Sequence, residues 1–220
     1  MKLLPNNFLE VKIKEEKLLL LPEKAIFWEK KQILLIADVH IGKTHHFRAN
    51  GLAVPQKTEE VNWTNLNNLI NYVSPKRILI LGDLFHSAFN KEVSNLKSFC
   101  LKYPTIDFEL VIGNHDILGL GTYEDINLTV HPNTLTIKPF LFSHEPITSS
   151  ISKLYNLSGH IHPSVMLKGK GRNKHRLPCF YFSENYGLLP AFGAFTGTAD
   201  IKPSKSDQVY LIAEGEIIAI

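Results

Sequence analysis

The stretch Ile106-Asp107-Phe108-Glu109-Leu110-Val111-Ile112-Gly113-Asn114-His115-Asp116 decides the fold. Its first seven residues are mostly apolar and short enough for a buried strand. The four that follow put an amide oxygen, an imidazole and a carboxylate in succession behind a glycine, in the loop leaving that strand's carboxyl end. Open α/β sheets bind ligands at such ends. Taken alone, the quartet also reads as a polar turn in which Asn and Asp bond their own backbone.

Upstream the same arrangement recurs. Gln32 to Ala37 reads as a buried strand followed by Asp38, Val39 and His40. In an extended chain residues two apart share a face, so Asp38 and His40 can approach one point. Arg77 to Leu81 is the next buried strand, ending at Gly82 and Asp83 with His86 three residues on. Between these strands, Lys57 to Val73 carries Val61, Leu66, Leu69, Ile70 and Val73 at helical spacing before Pro75. Lys91 to Tyr103 repeats that pattern through Val93, Leu96, Phe99 and Cys100, and Pro104 stops it. Strand, ligand-type loop and helix in alternation predict an α/β fold with parallel strands.

The flanks differ. Phe8 to Lys14, Leu18 to Leu21 and Ala25 to Trp28 read as short strands entering a sheet antiparallel. Beyond residue 127 the texture turns to short strands, Leu128 to Val130, Thr134 to Ile137 and Pro139 to Phe142, the last followed by Ser143-His144-Glu145-Pro146. Tyr155 to Ser158 leads into Gly159-His160-Ile161-His162, and Val165 to Leu167, Pro178 to Phe182 and a hairpin across Glu214-Gly215-Glu216 look antiparallel. With no internal repeat, low-complexity tract or linker, residues 1–220 are expected to form a single domain.

Composition excludes little else. Hydrophobic residues at 44% and charged ones at 20% are ordinary for a globular protein. The longest apolar runs, Ile33 to Ala37 and Val209 to Ala213, fall far short of the roughly 20 residues of a membrane-spanning helix. Lys2, Pro5 and Glu10 do not resemble a signal peptide, so a cytoplasmic location is expected. Cys100 and Cys179 lack a Cys-x-x-Cys spacing and are expected to be reduced thiols. The formal charge of +3 does not identify a partner. Ten histidines, several beside Asp, Asn or Gly, are more informative.

Five clusters stand in loops after strands: Asp38 with His40, Asp83, Asn114 with His115 and Asp116, His144, and His160 with His162. Three of them follow a glycine, Gly82, Gly113 or Gly159, which lets the backbone turn sharply and approach a ligand closely. Two Asp, one Asn and four His exceed the needs of one four-coordinate ion, and two ions fit better. Mixed nitrogen and oxygen donors without thiolate suit Mn, Fe, Zn or similar ions, and Asp83, alone at its strand end, is the candidate bridge. Two divalent ions about 4 Å apart hold a hydroxide nucleophile and neutralise phosphoryl oxygens, which favours an anionic substrate.

These clusters resemble, motif by motif and in the same order, those of the calcineurin-like metallophosphoesterases, over nearly the whole chain. The resemblance implies a two-sheet β-sandwich core flanked by helices. It also implies one metal held by Asp38, His40, Asp83 and His162, and a second held by Asp83, Asn114, His144 and His160. His115 would protonate or stabilise the leaving oxygen, with Asp116 orienting its imidazole. Asp38-Val39-His40-Ile41-Gly42-Lys43 with Phe47-Arg48 and Val54-Pro55 looks like the bacterial DNA-ligase-associated metallophosphoesterases. So do Leu81-Gly82-Asp83-Leu84-Phe85-His86-Ser87, His144-Glu145-Pro146 and Leu189-Pro190-Ala191-Phe192-Gly193. That subfamily implies a manganese-dependent DNA endonuclease or phosphodiesterase, using in-line attack by metal-bound hydroxide. It also implies action with a ligase, a helicase and an exonuclease in DNA repair. Where the wider superfamily often has Gly-His after the histidine of this motif, Glu145-Pro146 follows His144 here. Two rival functions are a small-molecule pyrophosphatase or phosphomonoesterase and a non-catalytic scaffold; His115, which a scaffold does not need, argues against the second.

Lys168, Lys170, Arg172, Lys174 and Arg176, with His175, crowd a glycine-containing loop that reads either as a phosphate-backbone track or as a solvated turn tip. The loop holds no aromatic residue, so base stacking would have to come from elsewhere. Phe180, Tyr181 and Phe182 read as core-strand residues. Lys43 and Arg48 read as substrate-phosphate contacts or as surface charges, and His86 as hydrogen-bonding support for a metal ligand. His45 and His46 read as exposed helix residues, with substrate contact as the alternative, and His131 as a surface residue.

Overall fold

The computed structural model describes residues 7–43, 57–86, 90–148, 153–169 and 174–220. One sheet is built in spatial order from β1 (Leu9–Ile13), β2 (Glu16–Leu21), β3 (Ala25–Trp28), β4 (Ile33–Ile36), β5 (Arg77–Leu81), β6 (Asp107–Val111) and β7 (Leu128–His131). Pairing is antiparallel from β1 to β4 and parallel from β4 to β7. The parallel strands are connected through α1 (Lys57–Val73), α2 (Asn90–Lys102) and α3 (Leu120–Asp125). Alternation along β4 shows why its four residues are all apolar. Leu34 and Ile36 join a core with Leu66, Leu69 and Ile70 of α1 and Leu96 of α2, while Ile33 and Leu35 face the other way. A strand covered on both faces needs apolar residues in both phases.

The face of Ile33 and Leu35 meets a second sheet. Its strands are β8 (Thr134–Ile137), β9 (Phe140–Ser143), β10 (Tyr155–Ser158), β11 (Pro163–Lys168), β12 (Lys174–Phe182), β13 (Tyr186–Leu188), β14 (Ala199–Asp200), β15 (Gln208–Ala213) and β16 (Glu216–Ala219). Phe140, Phe142, Leu157, Phe180 and Phe182 pack against Leu35, Leu79, Leu81 and Val111 to fill the sandwich. Truncating one such residue, Leu35 or Leu81, to Ala should cost about 2–5 kcal/mol. Tyr181, in the opposite phase of β12, belongs to a smaller cluster with Cys179, Leu188, Val209 and Leu211 on the sheet's other face. Cys100 and Cys179 are both free and buried in different clusters, and burial pushes each thiol up to about 12.

The late segments expected to be antiparallel are so, with β11 paired to β12, β12 to β15 and β15 to β16, while other short strands of the second half pair parallel. β7 lies parallel to β6 in the first sheet, and β10 runs parallel to both β9 and β13. Residue alternation in such short strands is the same for either direction, so direction leaves no mark in the pattern. His131 is not a simple surface residue. It is half-buried, and its Nε2 lies 2.8 Å from Oε2 of Glu109, whose Oε1 accepts from Arg77 Nε.

Because β4, β5 and β6 are parallel, their carboxyl ends share one edge, and the ends of β9 and β10 meet them there. Backbone bonds continue the pairing past the strand ends: Asp38 N donates to Gly82 O, His40 N to Asp83 O and Gly159 N to His144 O, each at 3.0–3.1 Å.

Candidate metal centre

At this edge donor atoms of Asp38, His40 and His162 all lie within 4.8 Å of one another, and those of Asp83, His144 and His160 form a second such group. Asp83 touches both. Its Oδ2 is 3.9 Å from His40 Nε2, and its Oδ1 is 3.4 Å from His144 Nε2. Asn114 and His144 line one cavity of about 380 Å3, and Asn114 Nδ2 donates to Glu145 Oε1 at 3.1 Å.

Asp38 and His40 do share a site, but not by the extended geometry expected of them. Their φ angles are 54° and 50°, and Asp83, His160 and His162 have φ of 50°, 66° and 52°. Non-glycine residues seldom adopt this left-handed region, and such strain gathers at functional sites, where the surroundings hold it. Here the hold is visible: both oxygens of Asp38 accept the His160 N–H, at 3.1 and 2.9 Å, and Asp83 Oδ1 accepts the His115 N–H at 3.0 Å.

The three glycines are explained by close approach. A Cβ on Gly82 would stand 2.2 Å from His144 Nδ1, one on Gly113 2.4 Å from Asp83 Oδ1, and one on Gly159 2.5 Å from Asp38 Oδ2. Each glycine that precedes one donor therefore makes room for another. Gly82 alone of the three also has a positive φ, 77°.

Ring orientation is set by backbone carbonyls, which only accept. His144 Nδ1 donates to Leu81 O at 3.0 Å and His162 Nδ1 to Gly197 O at 2.9 Å, which leaves each Nε2 as the electron-pair donor facing the carboxylates. His144 Nε2 lies 3.1 Å from His160 Nδ1, and His162 Nε2 lies 3.3 Å from Asp38 Oδ1. Among the described residues, both ring nitrogens of buried His40 lack a hydrogen-bond partner. Burial, reinforced by nearby Lys43 and the neighbouring imidazoles, pulls its pKa down to about 2, so the ring is neutral. An unmet buried donor or acceptor costs about 1–3 kcal/mol, and a divalent cation among these nitrogen and oxygen atoms would relieve it. The residues fit such ions, and the donor groups contain no thiolate.

A model of the family described as calcineurin-like phosphoesterase matches residues 31–193, a segment that contains all seven candidate ligands. This chain belongs to the calcineurin-like phosphoesterases. It is a metal-dependent phosphoesterase. No curated protein matches it significantly. Among solved structures, nuclease MPE from Pseudomonas putida is similar at 28% identity, covering 97% of this chain and 100% of that one with a TM-score of 0.81. Yfce, a phosphoesterase from E. coli, is similar at 11% identity, covering 85% of this chain and 96% of that one with a TM-score of 0.43.

Around the donor groups of this phosphoesterase, His115 is exposed, and its ring centroid lies 5.6 Å from that of His40 and 5.2 Å from that of His86. His86 is in turn 5.8 Å from His40, so it stands at the site. Lys43 is half-buried; burial lowers its pKa against the opposing pull of the Asp83 and Asp38 charges. Asp116 does not do what its place beside His115 suggests. Its Oδ1 accepts the Phe85 N–H at 3.1 Å and its Oδ2 the Gly113 N–H at 2.9 Å, and among the described residues neither oxygen bonds the imidazole. Asp116 ties the loop after β5 to the loop after β6. Burial pushes its pKa up to about 6, against those two backbone bonds.

The basic loop is only partly described. Lys170 and Arg172, like Arg48, lie outside the described residues, and Lys168 and Lys174 end the paired strands β11 and β12. Arg176 is exposed but engaged: its Nε and Nη2 each lie 3.0 Å from an oxygen of Asp200. It is therefore not a freely available phosphate contact. Reasoning from the sequence missed Glu145 as the partner of Asn114, along with the carbonyls of Leu81 and Gly197. Backbone acceptors carry no residue signal. The late Leu189-to-Gly193 run acquires a reason, since Phe192 N donates to Ala37 O and Gly193 N to Asp38 O, which buttresses the first ligand.

Proposed function

We propose that this phosphoesterase cleaves phosphodiester bonds in DNA as an endonuclease working with two divalent ions, Mn2+ foremost. The observation that carries the reading is Asp83, which offers one oxygen to each of two donor groups at an open strand-end edge. Asp38, His40, Asp83 and His162 would hold one ion, and Asp83, Asn114, His144 and His160 the other. When bound, such a pair supplies charge neutralisation for phosphoryl oxygens and an activated water for in-line attack.

The chain's own side chains would do the rest. Lys43 would pair with a phosphate oxygen from beside the two carboxylates. His115, exposed at the lip, would hand a proton to the leaving oxygen, a contribution typically of about 10²–10⁴ in rate. DNA is favoured over other phosphoesters by the full-length likeness to a solved nuclease and by the subfamily resemblance, which also points to repair alongside a ligase, a helicase and an exonuclease.

The Mn2+-loaded protein is expected to nick supercoiled plasmid and to hydrolyse a nitrophenyl phosphodiester. No turnover of either by protein shown to hold two ions would favour a scaffold. Turnover of a phosphomonoester alone would favour a small-molecule phosphatase.

A further inference from the structure

The loop after Phe192 is fastened to the metal centre from two sides. Gly193 N donates to Asp38 O at 3.1 Å, and the Gly197 carbonyl accepts from His162 Nδ1 at 2.9 Å. Between them Ala194 N donates to Asn62 Oδ1 of α1, and Thr196 Oγ1 donates to Gly193 O, each at 2.9 Å. A segment tied to the rest of the fold at three points and braced by one bond of its own is a fixed platform, the kind of support on which a binding contact can be held in place. On it stands Phe195, 43% exposed.

Single exposed apolar side chains are common and need no explanation. The position of this one does. Phe195 lines a cavity of about 270 Å3 together with Lys43, Ala194, Thr196 and Gly197, just below the roughly 300–1,000 Å3 typical of drug-sized ligand sites. One wall is therefore the residue whose carbonyl orients His162. Another is the half-buried cation that senses Asp38 and Asp83. An aromatic face and an ammonium group thus share one recess beside the donor groups. That pairing matches a nucleotide, which has a flat π-system joined through a sugar to an anionic phosphate.

We propose that this cavity is the subsite for the nucleotide next to the scissile phosphate, with its base stacked on Phe195 and its phosphate paired with Lys43. The inference rests on the nucleic-acid reading above. Every base has a π-face, so such a contact is tolerant of sequence and needs a base free of its own neighbour.

The test is fluorescence anisotropy of Mn2+-loaded protein titrated with labelled, phosphorothioate-linked oligothymidylate, which resists hydrolysis. Phe195→Ala should weaken binding by about tenfold or more, and Phe195→Trp, which restores a ring, should recover most of the loss. Metal content measured on each variant guards against a collapsed site. Unchanged affinity in Phe195→Ala, or a Trp variant no better than the Ala variant, would overturn the subsite while leaving the nuclease reading intact. A parent protein that turns over a nitrophenyl phosphodiester yet does not bind the oligonucleotide would overturn the nucleic-acid reading and the subsite together.

Discussion

Gly113 lies so close to Asp83 that a Cβ on it would stand 2.3 Å from the Asp83 backbone nitrogen and 2.4 Å from its Oδ1. The obstacle includes backbone, which cannot swing aside as a long side chain could. Gly113→Ala should therefore displace the shared carboxylate, lowering stability by about 1–3 kcal/mol. Urea unfolding and metal titration measure the two effects, and a variant with parental metal affinity would show that the loops after β5 and β6 yield more easily than their packing implies.

Glu145 is a pure acceptor when ionised, so its 3.1 Å bond from Asn114 Nδ2 turns the amide oxygen of Asn114 away from it. The turn that carries Glu145 is itself held: Ser143 Oγ donates to the Glu145 carbonyl, and Asn156 Nδ2 donates to Ser143 Oγ. Glu145→Ala should weaken the second ion about 10–100-fold, with Glu145→Gln intermediate. Calorimetric titration with Mn2+ resolves the two sites, and equal weakening of both would contradict the assignment.

His115 and Asp116 are adjacent in sequence but separate in role. Asp116 accepts two buried backbone N–H groups, so Asp116→Ala should lower stability by about 1–3 kcal/mol. His115 is exposed, so His115→Ala should change stability by no more than about 0.5 kcal/mol while reducing kcat by about 10²–10⁴. Denaturant melts beside steady-state kinetics separate the pair.

Glu109 predicts an acid-sensitive element remote from the chemistry. Burial alone would raise its pKa, but the bonds to Arg77 and His131 outweigh it and hold the carboxyl below the ordinary glutamate value. A depressed carboxylate stabilises the fold above its unfolded pKa and loses that contribution as the pH falls through the folded one. Glu109→Gln should therefore destabilise the protein by about 1–3 kcal/mol at neutral pH, with the gap to the parent narrowing below about pH 4. Urea midpoints across that range test the sign.

The first sheet was legible because its strands and helices differ in period. Arg77–Leu81 and Lys57–Val73 fall where the spacing puts them, since an apolar run and a 3.6-residue stripe are distinct patterns. The parallel pairing of β10 was not, because strand direction leaves side-chain alternation unchanged. The site was legible by chemistry: six of the seven candidate ligands fall in the two donor groups, and Asn114 lines a cavity with His144. Its geometry was hidden. The left-handed backbones of Asp38, His40, Asp83, His160 and His162 depend on long-range bonds, and the turn of Asp116 away from the His115 ring depends on amides 3 and 31 residues distant.

The central claim is that one carboxylate joins two metal sites, and metal stoichiometry of Asp83→Ala tests it most directly. The parent should bind two Mn2+ ions per chain by titration and elemental analysis. The variant, if folded as judged by circular dichroism, should retain neither at concentrations that saturate the parent. Retention of one tightly bound ion would contradict the shared site and assign Asp83 to a single group.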